Sequence, residues 1–185
     1  MLAFYLSLVP NGKDQSKVEL IYTSFREYMT YRAYEKVKNK SDAEDAVHEA
    51  MLRIIKHIDK VDVSDKVMLK SFCGKVAENA AKDINRKRGS AVEEFPLEEI
   101  EEVPADDSEL PDNLFFTKEA YDSIRSEVAE LSDCVRDVCT LKFVQGFNDL
   151  EIADLLCMNY KTVSVYASRG RNAIKTALRK VGFHE

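Results

Sequence analysis

The chain has 185 residues, a formal net charge of −6, 45% apolar and 32% charged residues. That is length for one ordinary domain or two small ones, with enough apolar content for a packed core. The opening MLAFYLSLV is apolar but too short to span a bilayer and lacks the basic flank of a secretion signal, so a cytoplasmic protein without direct membrane insertion is expected.

Glycine and proline are scarce, at 6 and 4, and three of the prolines fall between Pro96 and Pro111. Long uninterrupted helices are therefore expected elsewhere. MLAFYLSLV reads as the packed start of the fold. A helix follows over 17–38, with Val18, Ile21, Phe25, Met29 and Val37 inward. In SDAEDAVHEAMLRIIKHIDK, Ser41 followed by Glu44 has the form of a capping box. Ala43, Val47, Ala50, Met51, Ile54 and Ile58 then recur at three- and four-residue steps, which makes one buried face. Asp42, Asp45, His48, Glu49 and Lys56 lie opposite. A third helix over 67–88 turns Leu69, Phe72, Val76, Ala80 and Ile84 inward. Its outer face carries Lys75, Asn79, Lys82, Asp83 and Arg86, and NRKRG places cations at its C-terminus before Gly89 stops it.

Charge divides the chain. Residues 1–89 carry net +4, residues 90–113 carry 10 acidic residues and no basic one, and residues 114–185 are balanced. The acidic stretch with its prolines reads as an extended linker, either a solvated spacer or a mimic of a polyanion. The expected fold is all-α: two small helical domains, 1–90 and 114–185, joined by the acidic linker 91–113.

Beyond the linker, helices are expected over 115–131 and 134–144. Then comes NDLEIADLLCMNYKTVSVYASRGR, which has the spacing of a helix-turn-helix. Ile152, Leu155 and Leu156 face inward on the first helix, Cys157–Met158–Asn159 turn, and Asn159 caps the second. Val163 and Ala167 point inward. Tyr160, Lys161, Thr162, Ser164, Val165, Ser168 and Arg169 are left outward or flanking. From 155 to 184 there are six Lys or Arg and no acidic residue. Hydroxyls and cations on an exposed helix suit a major-groove reader, and a surface hairpin with a solvated basic face is the alternative. Such turns usually carry glycine where Cys157 stands, so the cysteine is strained there or the turn differs.

Cys73, Cys134, Cys139 and Cys157 form no CxxC pair and read as small core residues, with a redox or zinc role as the alternative. His48, His57 and His184 are too scattered for a metal or catalytic set. No nucleophile elbow, phosphate loop or dinucleotide fingerprint is present, so no enzyme and no cofactor is expected.

Three stretches carry a resemblance. LSDCVRDVCTLKFVQGFNDLEIADLLCMNYKTVSVYASRGRNAIKTAL resembles the C-terminal domain of bacterial RNA polymerase sigma factors of the extracytoplasmic-function group of the sigma-70 family. Taken alone, it also resembles the helix-turn-helix of response regulators. SDAEDAVHEAMLRIIKHID is similar to the core-polymerase-binding helix of the sigma family, often DAEDLVQETFL. SFCGKVAENAAKDINRKRG is similar to its promoter-melting helix, often WLYRIARNLALDYLRR. The three motifs occur in the family's order.

The resemblance implies a factor that joins core RNA polymerase, contacting its β′ and β subunits, and directs promoter-specific initiation. Asp45, His48 and Glu49 match the polymerase-binding face, with His48 in place of the usual glutamine. Lys75, Asn79, Asp83, Arg86, Lys87 and Arg88 match the part that reads and opens the promoter −10 element. Tyr160, Lys161, Thr162, Ser164, Val165, Arg169 and Arg171 fall where the −35 element is contacted. SVY at 164–166 replaces the family's frequent KSR, so a different promoter sequence is expected. An anti-sigma factor is implied as a further partner, and a monomer is expected when the chain is free. The runner-up is a helix-turn-helix DNA-binding regulator that does not join polymerase.

Overall fold

A computed structural model describes residues 1–89 and 118–182. The linker 91–113 and the expected helix start at 115 lie outside the described residues, as does His184. Among the described residues every regular element is helical, in agreement with the all-α expectation. The helices are α1 (Leu2–Ser7), α2 (Gly12–Val37), α3 (Lys40–Lys56), α4 (Lys66–Lys87), α5 (Lys118–Ala129), α6 (Asp133–Cys139), α7 (Asp149–Leu156) and α8 (Tyr160–Lys180), with a π-helical turn at Thr140–Val144. α1–α4 belong to one compact unit, and α5, α6 and α8 belong to a second.

In the first unit α2, α3 and α4 pack against one another and α1 covers part of α2 and α3. Val18, Ile21, Met29, Met51, Ile54 and Val76 are fully buried at the centre. Each large aliphatic side chain removed from water there contributes about 1.5–3 kcal/mol. From α1, Tyr5 is buried, and Val9 just beyond it is buried too.

Each long helix of this unit starts on a side-chain cap, which satisfies N–H groups that the helix itself leaves free. Asn11 accepts from Lys13 N at 3.0 Å, and Asp65 accepts from Val67 N at 2.8 Å and Met68 N at 3.0 Å. For α3 the expected Ser41 cap gives way to Asn39, which accepts from Ser41 N at 2.9 Å and Asp42 N at 3.3 Å. Lys38 takes a left-handed φ of 55°, which ends α2 and delivers Asn39 in extended conformation. Asparagine caps as well as serine, so the helix starts earlier than the capping-box spacing suggests. Gly89, at φ 68°, ends α4 as the sequence indicates.

In the second unit α8 is the long helix, packed on α5 and α6. Ala120, Ile174 and Leu178 form one cluster, joined by Ile124, Val128, Phe143 and Val181. The expected helix over 134–144 widens at its end: Gln145 N donates to Thr140 O at 3.1 Å, one residue beyond the α pattern. Gly146, at φ 74°, then reverses the chain. A reciprocal capping box opens α7, with Asn148 N donating to Glu151 Oε2 at 2.8 Å and Glu151 N donating to Asn148 Oδ1 at 3.0 Å.

Candidate functional site

The outer face of α3 carries the first group of candidates. Asp45 is exposed, and His48 and Glu49 are half-buried. Glu49 is an i,i+4 ion-pair partner of Arg53 at 3.3 Å, so its charge is shared within the helix. The Tyr5 hydroxyl lies 2.8 Å from His48 Nδ1. Burial, with Tyr22 nearby, pushes the Tyr5 hydroxyl up to about 12, so it stays protonated. Tyr5 is only 2% exposed. The hydroxyl and Nδ1 share one hydrogen bond, whose direction follows the imidazole tautomer.

The second group lies along α4. Lys75, Asn79, Asp83 and Arg86 follow one another at helical spacing. Lys75 is half-buried, and Arg86, Lys87 and Arg88 are exposed. Asn79 and Asp83, expected on the outer face, are buried. Asn79 turns back along its own helix, its Nδ2 donating to the Lys75 carbonyl at 3.0 Å. Asp83 is drawn in by cations: Arg86, Lys87 at 2.9 Å, and Arg53 of α3 at 3.7 Å. Burial raises its carboxyl, but Lys87, Arg86 and Arg53 together hold it below the usual range. Arg88 pairs with Asp42, itself buried on α3. The basic end of α4 is thus fixed by two buried carboxylates.

Sequence reasoning missed Glu78. It is 4% exposed, yet charged, and it meets Arg32, Lys36 at 3.2 Å and Lys82 at 3.1 Å. Burial opposes ionisation, but Lys82, Lys75 and Arg32 overcome it and hold the carboxyl down at about 2. The available signal was local: Glu78 stands three residues after Lys75 and four before Lys82. Its partners Arg32 and Lys36 come from α2, so the result is a bracket between α2 and α4 with cations on its outside. Lys70 adds another, with Nζ 4.6 Å from the centroid of the Tyr28 ring.

The third group is on α8. Its first turn is capped by Asn159, which accepts from Lys161 N at 2.8 Å, as the sequence indicates. Ile152, Leu155 and Leu156 of α7 are buried, as are Val163 and Ala167 of α8. Tyr160 and Lys161 are exposed, while Thr162, Ser164, Val165, Arg169 and Arg171 are half-buried. Ser168, expected outward, is buried. The Arg169 guanidinium lies 6.0 Å from the centroid of the Tyr166 ring, which braces it against its own helix.

Cys157 in the turn has φ 56°, so the glycine-like conformation is kept and the cysteine bears the strain. Burial pushes its thiol up to about 11, which leaves it protonated and unreactive at neutral pH. Cys157→Gly is expected to stabilise the chain by up to about 1 kcal/mol, read as a higher urea midpoint. A lower midpoint would show that packing of the thiol outweighs the backbone strain.

All four cysteines are free, and Cys73 and Cys139 are buried. Among the described residues no cluster of three His, Cys, Asp or Glu side chains is placed to hold a metal ion. No described helix is long and apolar enough to cross a membrane.

Residues 21–91 match the Sigma-70 region 2 family, a span that starts within α2 and takes in all of α3 and α4. Across nearly the whole length, the chain is similar to the ECF RNA polymerase sigma factor SigW of Bacillus subtilis strain 168. The identity is 25% over 173 residues, covering 90% of this chain and 91% of that relative. With the three motifs in order on α3, α4 and α7–α8, residues 21–91 carry the Sigma-70 region 2 match, and the chain as a whole is similar to an extracytoplasmic-function sigma factor.

Proposed function

We infer that this sigma factor joins core RNA polymerase through α3, reads and opens the promoter −10 element with α4, and reads the −35 element with α8. Lys75, Arg86, Lys87 and Arg88 supply cations for single-strand phosphates. In the second unit, Lys161, Arg169 and Arg171 anchor the backbone while Thr162, Ser164 and Val165 meet base edges. Tyr160, exposed at the start of α8, flanks the same groove. The observation that carries the reading is the pairing, in one chain, of a region 2 match with a capped helix bearing cations and hydroxyls after a three-residue turn. A regulator acting apart from polymerase has no use for the α3 face.

The polymerase surface for α3 is a coiled coil of β′, and β supports the second unit. The factor acts by positioning rather than by chemistry of its own, and it works in the cytoplasm. An anti-sigma factor holding it inactive is the further partner that this reading brings.

The test is co-elution with core polymerase on size exclusion, repeated with Asp45→Lys. Full co-elution of the native chain and its loss on charge reversal at the exposed Asp45 are expected. A native chain that binds duplex DNA but never core polymerase would sink the reading.

A further inference from the structure

The N-terminal helix has no polar face. From Leu2 to Val9 only Ser7 and the hydroxyl of Tyr5 are polar, although α1 is a surface element. One side is accounted for: Tyr5 is 2% exposed and Val9 5%. The other side is open. Met1 is 66% exposed, Phe4 47% and Leu8 44%. Steps of three and four residues put these three on one stripe of the helix. An apolar stripe left open beside a packed one marks a surface that meets something else.

Its position identifies what that is. The Phe4 ring is 6.0 Å from the His48 ring, and the Tyr5 ring is 5.6 Å from it. His48 stands on the outer face of α3 between Asp45 and Glu49. The open stripe is thus continuous with the face assigned to polymerase, and the two are joined through one imidazole. The Tyr5 hydroxyl, 2.8 Å from Nδ1, also holds that imidazole in place beside the stripe.

We propose that α1 is part of the polymerase-docking surface, with Phe4 as an apolar anchor beside the polar contacts of Asp45, His48 and Glu49. This rests on the assignment of α3 to polymerase. The combination has the form of a productive interface, where one aromatic packs at the centre of a polar set and excludes water from it. A lipid surface is disfavoured as the occupant. Helices that lie on membranes carry basic side chains on their polar side, whereas the first basic side chain here is Lys13.

The test measures affinity of the full chain for core polymerase in four forms: native, Phe4→Ala, Phe4→Leu and Asp45→Lys. Phe4 is half-exposed and the inward packing belongs to Tyr5 and Val9, so an unchanged melting temperature is expected for both Phe4 variants. Phe4→Ala is expected to weaken binding about tenfold, and Phe4→Leu to recover most of the loss. Asp45→Lys abolishing binding while Phe4→Ala leaves it unchanged would overturn this inference and spare the α3 assignment. Undiminished binding by Asp45→Lys would overturn the α3 assignment and the inference with it. Two companion measurements cover the other occupants. Phe4-dependent self-association in sedimentation velocity, or Phe4-dependent binding to neutral lipid vesicles, with polymerase affinity unchanged, would reassign the stripe.

Discussion

Replacing Glu78 with glutamine is expected to destabilise the first unit by about 3 kcal/mol at pH 7. Glutamine keeps the shape and removes the charge that Arg32, Lys36 and Lys82 share. The size follows from the carboxyl's fall from 4.5 to about 2, which corresponds to roughly 3 kcal/mol of preference for the ionised form in the folded state. Water reaches the three cations and relieves part of the loss, so 3 kcal/mol is nearer the upper end.

The pH dependence gives the sign. The folded carboxyl is depressed, so its contribution is complete above the unfolded value of about 4.5 and is lost as pH falls towards about 2. The gap between native chain and variant should therefore be constant from pH 7 to about 5 and close below that. The chain contains no tryptophan, so hydrogen exchange at α4 amides is the suitable reading, and it reports the first unit alone. A gap that stays constant down to pH 2 would show that Glu78 acts through packing and not through its charge.

Gly170→Ala is expected to destabilise the second unit by about 2 kcal/mol. This sign is diagnostic, because alanine within a helix is ordinarily better than glycine by about 0.5–1 kcal/mol. Gly170 lies within α8 where it crosses α6. A Cβ there would overlap Cys139 Sγ, with Cys139 Cβ at 3.5 Å and Phe143 Cε2 at 3.7 Å. Cys139 is 5% exposed, so the sulfur has to give way inside a packed interior. Removing it should reverse the effect: in a Cys139→Ala background, Gly170→Ala becomes neutral or stabilising. Thermal unfolding of the four chains completes the cycle. A destabilisation that persists without the sulfur would place the conflict at Phe143 or in the backbone.

The fold was legible wherever a local rule was sufficient. Periodicity gave the buried faces of α2, α3 and α4, since Val18, Ile21, Met51 and Ile54 follow the helical period that burial imposes. Asn159 was readable as a cap because the groups it serves are its immediate successors. Ser41 and Asn39 show where this stops. Two good capping residues stood close together, and the choice was made by Lys38 adopting a left-handed backbone, which lysine does not advertise.

The candidate surfaces were legible as sets of side chains, and less so as environments. Nothing near Asn79 or Asp83 in sequence says that they are buried. For Asp83, part of the reason is Arg53, thirty positions earlier on α3. The bond between Tyr5 and His48 spans 43 positions. Glu78 depends on two cations of α2, more than forty positions earlier. Periodicity and caps describe one helix at a time, whereas the Arg53–Asp83 pair, the Tyr5–His48 bond and the Glu78 bracket each belong to a pair of helices.

The carboxylates that hold Arg86, Lys87 and Arg88 bear on the role in promoter opening proposed for α4. A cation already neutralised by Asp83 or Asp42 arrives at a phosphate with its counter-anion attached to the same protein. To engage the strand it must exchange one anion for another, and fewer solution ions are displaced than the number of basic residues implies. Under the proposed role, the salt dependence of strand capture by α4 is expected to be shallower than a count of its cations would give. The same buried acids keep the basic end of α4 ordered before any nucleic acid arrives, so less side-chain freedom is lost when it does.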